Sequence, residues 1–329
     1  MKERINWVDA LKFLGMFYIY IGHLGPAAGK LYLFVFAFHV PLFFFISGLS
    51  CGRVKTIGDF FLNSYRRFKT IIIPYFVFSL IGIAFICIKY NYTTLQLKSD
   101  LWQMTLGIRN QIPLGTLWFL PCLFIVTLYH SIIDLFVKNR VVIFAITFLV
   151  YVNAALWWDY TPSLFFNIDS ALYYLPYYSF GAMLSLEKVN SWILSKDIKV
   201  KLINFIVLIA SLFATAYVYF YGMPNPFGNI KHTQFLHAFY FLLTIVMFVP
   251  SIAFAKKINF SSLILLGRNS ILLCGTEQVL KLSILSVMSI FGFTYSIKDP
   301  MDAVLFTCIC FFISYFTLLK IYNHLKFKQ

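Results

Sequence analysis

Acidic side chains are scarce in this chain. Asp and Glu together number 12 in 329 residues, and charged residues of both signs make up only 12%. A soluble domain carries about 25% charged residues, so this composition cannot clothe a water-exposed surface. Glycine (16) and proline (11) are too few for a collagen-like or Gly/Pro-rich disordered chain. The six cysteines (Cys51, Cys87, Cys122, Cys274, Cys308 and Cys310) lie mostly inside apolar runs. There they behave as small hydrophobes, not as a disulfide framework. No polar stretch is long enough for a second, soluble domain. What abounds is apolar: 60% of residues are hydrophobic, including 39 Phe and 21 Tyr, and the mean hydropathy is +0.81. The class left standing is a polytopic membrane protein.

A spanning helix needs ~20 apolar residues, so the chain has room for roughly ten. Apolar runs between polar or Gly/Pro breaks fall at 6–25, 31–51, 68–90, 114–137, 140–157, 170–187, 200–222, 234–255, 262–291 and 301–323. With both termini cytoplasmic, the inner segments collect eighteen Lys and Arg and the outer ones six. That asymmetry follows the positive-inside rule and accounts for the net charge of +15 without nucleic acid. The expectation is an all-α, polytopic bundle of about ten transmembrane helices, forming one integral-membrane domain over 1–329 of a plasma or inner membrane. A cleaved leader is disfavoured for the first run, because Asp9, Lys12 and His23 do not belong in a secretory apolar segment. Segment 89–113, with Trp102 and Met104, suggests an interfacial amphipathic helix. The ninth run exceeds a perpendicular span and is interrupted at Gly267-Arg268-Asn269 and Gly275-Thr276-Glu277, so a tilt or break is expected there.

Ionisable residues within spans are costly and face a bundle interior or a wet cavity. In the first span Asp9 and Lys12 are three residues apart and share a helix face. Lys12 and His23 are separated by eleven residues, about three turns, and lie about 16 Å apart along one stripe. His39 opens the second span, at a depth similar to His23 if the two spans run in opposite directions. Two histidines alone make no metal site, so none is expected. General-base chemistry with a polar partner fits His23 better. Gly48 permits close backbone approach. Arg66, Arg67 and Lys69 form a basic cluster before Pro74-Tyr75 that suits topology, lipid headgroups or a polyanionic ligand. Glu277 needs a partner, with Arg268 and Lys281 as candidates and Lys281 one turn away on the same face.

Trp7-Val8-Asp9-Ala10-Leu11-Lys12 continued to His23, then Phe38 to Gly48, the basic cluster before Pro74-Tyr75, Leu117-Trp118-Phe119-Leu120 and Leu266-Gly267-Arg268-Asn269-Ser270 occur in an order that resembles the acyltransferase 3 family of integral-membrane acyltransferases. The resemblance implies ten membrane helices, an acyl-CoA donor used from the cytosol, and an acceptor met near the outer face. It makes His23 the catalytic histidine and Lys12 the basic member of its motif, beside Asp9. Arg66 and Lys69 match an Arg-x-x-Arg element tied to donor binding, with Arg67 between them. Lys69 and Lys12 stand where Arg is common, which keeps charge but loses the planar fork. Many relatives carry a His in the stretch where this chain has Glu277.

The function implied is transfer of an acetyl group from acetyl-CoA to a carbohydrate or glycolipid hydroxyl, with His39, Trp118 and Glu277 on the acceptor side. His23 would deprotonate the acceptor or carry the acyl group itself. Outer aromatics such as Trp157, Trp158, Tyr160, Tyr173 and Tyr174 suit sugar stacking or an interfacial belt. Two other classes use the same residues: a proton-coupled transporter or exporter, and an inactive partner in glycan assembly. Binding of acetyl-CoA separates the first from the enzyme.

Overall fold

The structure is a computed structural model that describes residues 5–157, 164–224, 234–293 and 296–319. Among these residues it is all-helical, with no strand. The helices are α1 (Asn6–Gly22), α2 (Lys30–Phe36), α3 (His39–Leu49), α4 (Ile57–Arg67), α5 (Ile73–Tyr90), α6 (Thr94–Leu106), α7 (Phe119–Phe136) and α8 (Arg140–Trp157). They continue as α9 (Ile168–Leu184), α10 (Leu186–Ile193), α11 (Ile198–Tyr221), α12 (Gln234–Lys257), α13 (Ser261–Arg268), α14 (Ser270–Ile290) and α15 (Pro300–Phe316).

Each of the ten apolar runs holds a helix, but among the described residues six segments are long and apolar enough to cross a bilayer: Lys30–Leu49, Ile57–Tyr90, Phe119–Phe136, Ile198–Tyr221, Gln234–Lys257 and Ser270–Ile290. α8 and α15 contribute the shorter apolar stretches Arg140–Ala154 and Pro300–Phe316. α1 and α9 stop at 17 residues each. α11 exposes Leu202, Ile203, Phe205 and Phe213, a surface that only lipid or another apolar partner can cover. Segment 89–113 holds a helix, α6, opened by a capping box of Thr93 and Gln96, with Trp102 exposed and Met104 buried. The ninth run is broken at Asn269, between α13 and α14, and continues unbroken through Gly275-Thr276-Glu277.

Two compact units are present. The first comprises Met1–Phe43, Ser195–Pro226 and Phe239–Gln329. Its centre is α1, which is apolar nearly all round and packs against α2, α13, α14 and α15. Phe311 of α15 meets Phe13 at 5.2 Å and Tyr20 at 4.6 Å between ring centroids. The end of α1 is held by a small core of Ile21, Ala28, Val35 and Ala303. At the other end of α1, Gly267 lets α13 come so close that a Cβ there would stand 1.8 Å from the Asp9 carbonyl oxygen.

The second unit comprises Phe44–Leu194 and Phe227–Ala238. α9 packs against α7 and α8, and α4 against α7. The expected close approach at Gly48 is present and is reciprocal. A Cβ on Gly48 would lie 2.0 Å from the Tyr178 carbonyl oxygen, and one on Gly181 would lie 2.2 Å from that of Phe45. Both obstacles are backbone atoms, which cannot swing aside. Gly48→Ala and Gly181→Ala are each expected to lower the thermal midpoint of the purified protein, overpacking costing about 1–3 kcal/mol or more. Gly52→Ala, where nothing lies within 4 Å, should leave it unchanged. Equal midpoints for all three would show that α3 and α9 do not rely on this contact.

Candidate functional site

His23 caps the C-terminus of α1 in the first unit. Its Nδ1 lies 3.3 Å from a Glu277 carboxylate oxygen of α14. The carboxylate accepts and cannot donate, so the Nδ1 position carries a proton, and in the neutral ring the lone pair is on Nε2. The second Glu277 oxygen takes the Lys281 ammonium, one turn further along α14. Lys281 also donates to the Tyr20 carbonyl at 2.7 Å, and its Nζ sits 5.0 Å from the centre of the Tyr20 ring. That carbonyl is among the last four of α1, where the helix dipole favours a cation. Tyr20 in turn donates its hydroxyl to the Leu273 carbonyl at 3.1 Å, which ties α1 to α14. Glu277 is buried, with 2% of its side chain exposed, whereas 29% of the His23 side chain is open. The ring can therefore be reached while its orienting carboxylate cannot.

A second ionic cluster lies near the start of α1. Asp9, buried, pairs with Lys12 at 3.5 Å and with Arg268 Nε at 3.3 Å. Arg268 also reaches the Asn6 side chain at 3.4 Å. Of the two partners considered for Glu277, Lys281 is the one found; Arg268 belongs to Asp9. His39 is buried, and its Nδ1 donates to the Val35 carbonyl at 2.6 Å, with its ring edge-on to Phe36. Among the described residues, no three His, Cys, Asp or Glu side chains gather as a metal site.

In the second unit Arg66 and Arg67 end α4, and Lys69 sits in the π-helical segment Phe68–Ile72 that joins α4 to α5. Arg66 and Lys69 are exposed, and Lys69 Nζ lies 4.5 Å from the Tyr65 ring centre. Such π insertions in an α-helix recur at functional positions. Trp118 is buried beneath the Arg109 guanidinium, 4.5 Å from its ring, and 5.7 Å from the Tyr174 ring. Tyr174 stacks on Phe44 at 4.6 Å, so Trp118 and Tyr174 both belong to one packed aromatic group. Asn167, itself at φ 57°, accepts from the Arg109 amide at 2.7 Å and donates to the Gly107 and Trp118 carbonyls. Tyr173 packs edge-on to Tyr151. The Trp157 side chain, Trp158 and Tyr160 lie outside the described residues, as do Lys2, Arg4, Lys231, Lys320, Lys326 and Lys328.

Sequence reasoning missed a buried polar group in the second unit. Asp134 of α7 pairs with Arg53 at 2.9 Å and accepts the Val54 amide at 2.6 Å. Arg53 also donates to the Lys138 carbonyl at 2.7 Å, and Arg140 donates to the carbonyls of Ala182 at 2.5 Å and Cys51 at 3.0 Å. His130, one turn before Asp134, lies 3.9 Å from the Cys51 sulfur and edge-on to Tyr178. Burial pushes the Cys51 thiol pKa up, and the Tyr178 hydroxyl, Arg67 and Arg140 pull against it. Asp134 and His130 were findable: two ionisable residues one turn apart in an apolar run are the signal used for α1.

The acyltransferase domain model of the acyltransferase 3 family matches residues 5–319, essentially the whole chain. No curated protein and no solved structure matches it. With buried ionic side chains on apolar helices and the family model spanning both units, the chain belongs to the acyltransferase 3 family of membrane acyltransferases.

Proposed function

We infer that the protein moves an acetyl group, or a related acyl group, from acetyl-CoA to a hydroxyl of a cell-surface or exported glycan or glycolipid. In this reading the chain crosses a plasma or inner membrane about ten times with both termini cytoplasmic. Its donor is cytosolic acetyl-CoA, and a carbohydrate or glycolipid is the acceptor. The observation that carries it is the His23–Glu277–Lys281 relay: an accessible imidazole whose Nδ1 proton is held by a buried, cation-paired carboxylate. Such an arrangement leaves Nε2 as a base and stabilises the imidazolium once formed. Nε2 takes the acceptor hydroxyl proton as the oxygen bonds to the thioester carbonyl carbon. The carbon–sulfur bond then breaks, and the proton passes to the departing thiolate. Alternatively Nε2 itself carries the acyl group between donor and acceptor. Asp9, with Lys12 and Arg268, ties the start of α1 to the end of α13. His39 and Trp118 are assigned to the acceptor side. Membership of an acyltransferase family favours this over proton-coupled transport.

Arg66, Arg67 and Lys69 hold donor phosphates. Charge-assisted bonds of this kind contribute about 1.5–3 kcal/mol each. Arg66→Ala and Lys69→Ala should therefore each raise the KM for acetyl-CoA roughly tenfold or more, and change it little for an acyl thioester lacking the nucleotide. Equal losses with both donors would point to a folding defect. The function itself is tested by thermal protection: acetyl-CoA should stabilise the purified protein and release free CoA in the presence of membrane glycans. No protection and no thiol release would overturn it.

A further inference from the structure

One end of the second unit holds a cleft of about 570 Å³ whose lining includes Arg53, Lys138, Asn139, Arg140 and Lys188. It lies between the end of α7, the start of α8 and the start of α10, and neither Arg66 nor Lys69 belongs to it. No acid lines it. The nearest carboxylate in the hydrogen-bond network, Asp134, is buried and engaged by Arg53 and the Val54 amide.

Three features separate this cleft from a scatter of topology-setting cations. Its two guanidinium groups are fixed before any ligand arrives. Arg53 is held by Asp134 and the Lys138 carbonyl, and Arg140 by the carbonyls of Ala182 and Cys51. A positive-inside signal needs charge, not fixed geometry. The cleft also receives the N-terminus of the 18-residue α8, where Asn139 caps the Val141 amide at 2.9 Å and the helix dipole adds positive potential. Finally, Lys138 and Lys188 are exposed and form no ion pair among the described residues, so two ammonium groups join two anchored guanidinium groups in the lining. Such a set matches a compact dianion with several acceptor oxygens, and a terminal phosphate monoester is that group.

We propose that this cleft binds a terminal phosphate monoester and that its ligand is the 3′-phosphate of the acyl-CoA donor. The assignment rests on the donor reading above, in which the Arg66 and Lys69 pair is left to contact the pyrophosphate. A phosphatidic acid headgroup carries the same monoester and is the other source of this chemistry.

The test compares wild type with Lys138→Ala/Lys188→Ala. Both lysines are exposed and outside the catalytic group, so the variant should fold. Affinities for CoA and dephospho-CoA are measured by titration calorimetry in neutral detergent. Wild type should bind CoA at least tenfold more tightly than dephospho-CoA, and the double variant should lose that preference while keeping its dephospho-CoA affinity. If wild type binds both equally, or the variant keeps the preference, the donor assignment is overturned although the donor reading survives. If neither binds, the donor reading itself fails. A second arm then compares nanodiscs of phosphatidylcholine with nanodiscs containing phosphatidic acid. A thermal shift with phosphatidic acid, lost in the double variant, supports a monoester site for lipid. Where the first arm shows no preference for CoA, the absence of a shift overturns the site as well.

Discussion

His23→Ala should lower acyl transfer by about 10²–10⁴-fold while thermal stability and acetyl-CoA affinity stay close to wild type. The expected selectivity follows from position. His23 lies at the end of α1, partly open, and its ionic partner among the described residues is Glu277, which keeps Lys281 when the imidazole is removed. The carboxylate is thus not left as an isolated buried charge, which would cost several kcal/mol. Single-turnover thiol release, measured with saturating donor, checks the result. Wild-type turnover in a well-folded variant would remove His23 from the mechanism.

Glu277 gives the second large effect, and here stability and activity should part company. Glu277→Gln keeps the shape but no longer offers a charge to hold the Nδ1 proton, so turnover should fall roughly tenfold to a hundredfold, the worth of one charge-assisted bond. The same change leaves the Lys281 ammonium buried opposite a neutral amide, with the Tyr20 carbonyl as its remaining acceptor. Breaking a buried pair from one side costs about 3–5 kcal/mol. Glu277→Gln/Lys281→Met removes both charges and should recover most of that stability without recovering turnover. Thermal midpoints and rates for the two single variants and the double form one cycle. Full activity in the double variant would reduce Glu277 to a structural counter-ion.

Much of the first unit was legible because helix periodicity is local. The Asp9–Lys12 pair, the Glu277–Lys281 pair and the break after Arg268 all follow from spacings of three or four residues, or from a Gly-Arg-Asn interruption. The His23–Glu277 bond was not derivable that way, since 254 residues separate the partners and no local spacing predicts their meeting. Arg268 illustrates the same limit: sequence offered it as a partner for Glu277, and the close approach of α13 to Asp9 at Gly267 gave it Asp9 instead. Helix crossing length misled for another reason. α1 and α9 are predominantly apolar, yet each ends after 17 residues, where His23 caps one and Ser185 turns the other at φ 53°. The basic cleft stayed hidden because Arg53, Lys138, Arg140 and Lys188 read as topology signals, and only folding shows that they share one concavity.

The π segment Phe68–Ile72 has a genetic consequence. A π turn inserted in an otherwise α-helical run marks one residue more than the α register requires. The wider π turn itself absorbs that residue, so excising one codon within 68–72 would let α4 and α5 fuse as a continuous helix with Arg66 and Arg67 keeping nearly their direction relative to Tyr75. Tyr75 is buried and its hydroxyl is anchored on the Met104 carbonyl, so α5 would keep its seat and hold the fused helix in place. A single-codon deletion here, outside the Lys69 codon, is thus a frame-preserving change that spares every charged side chain and keeps the cluster's aim, so this short stretch should tolerate the loss of one residue where a regular α-helix would not.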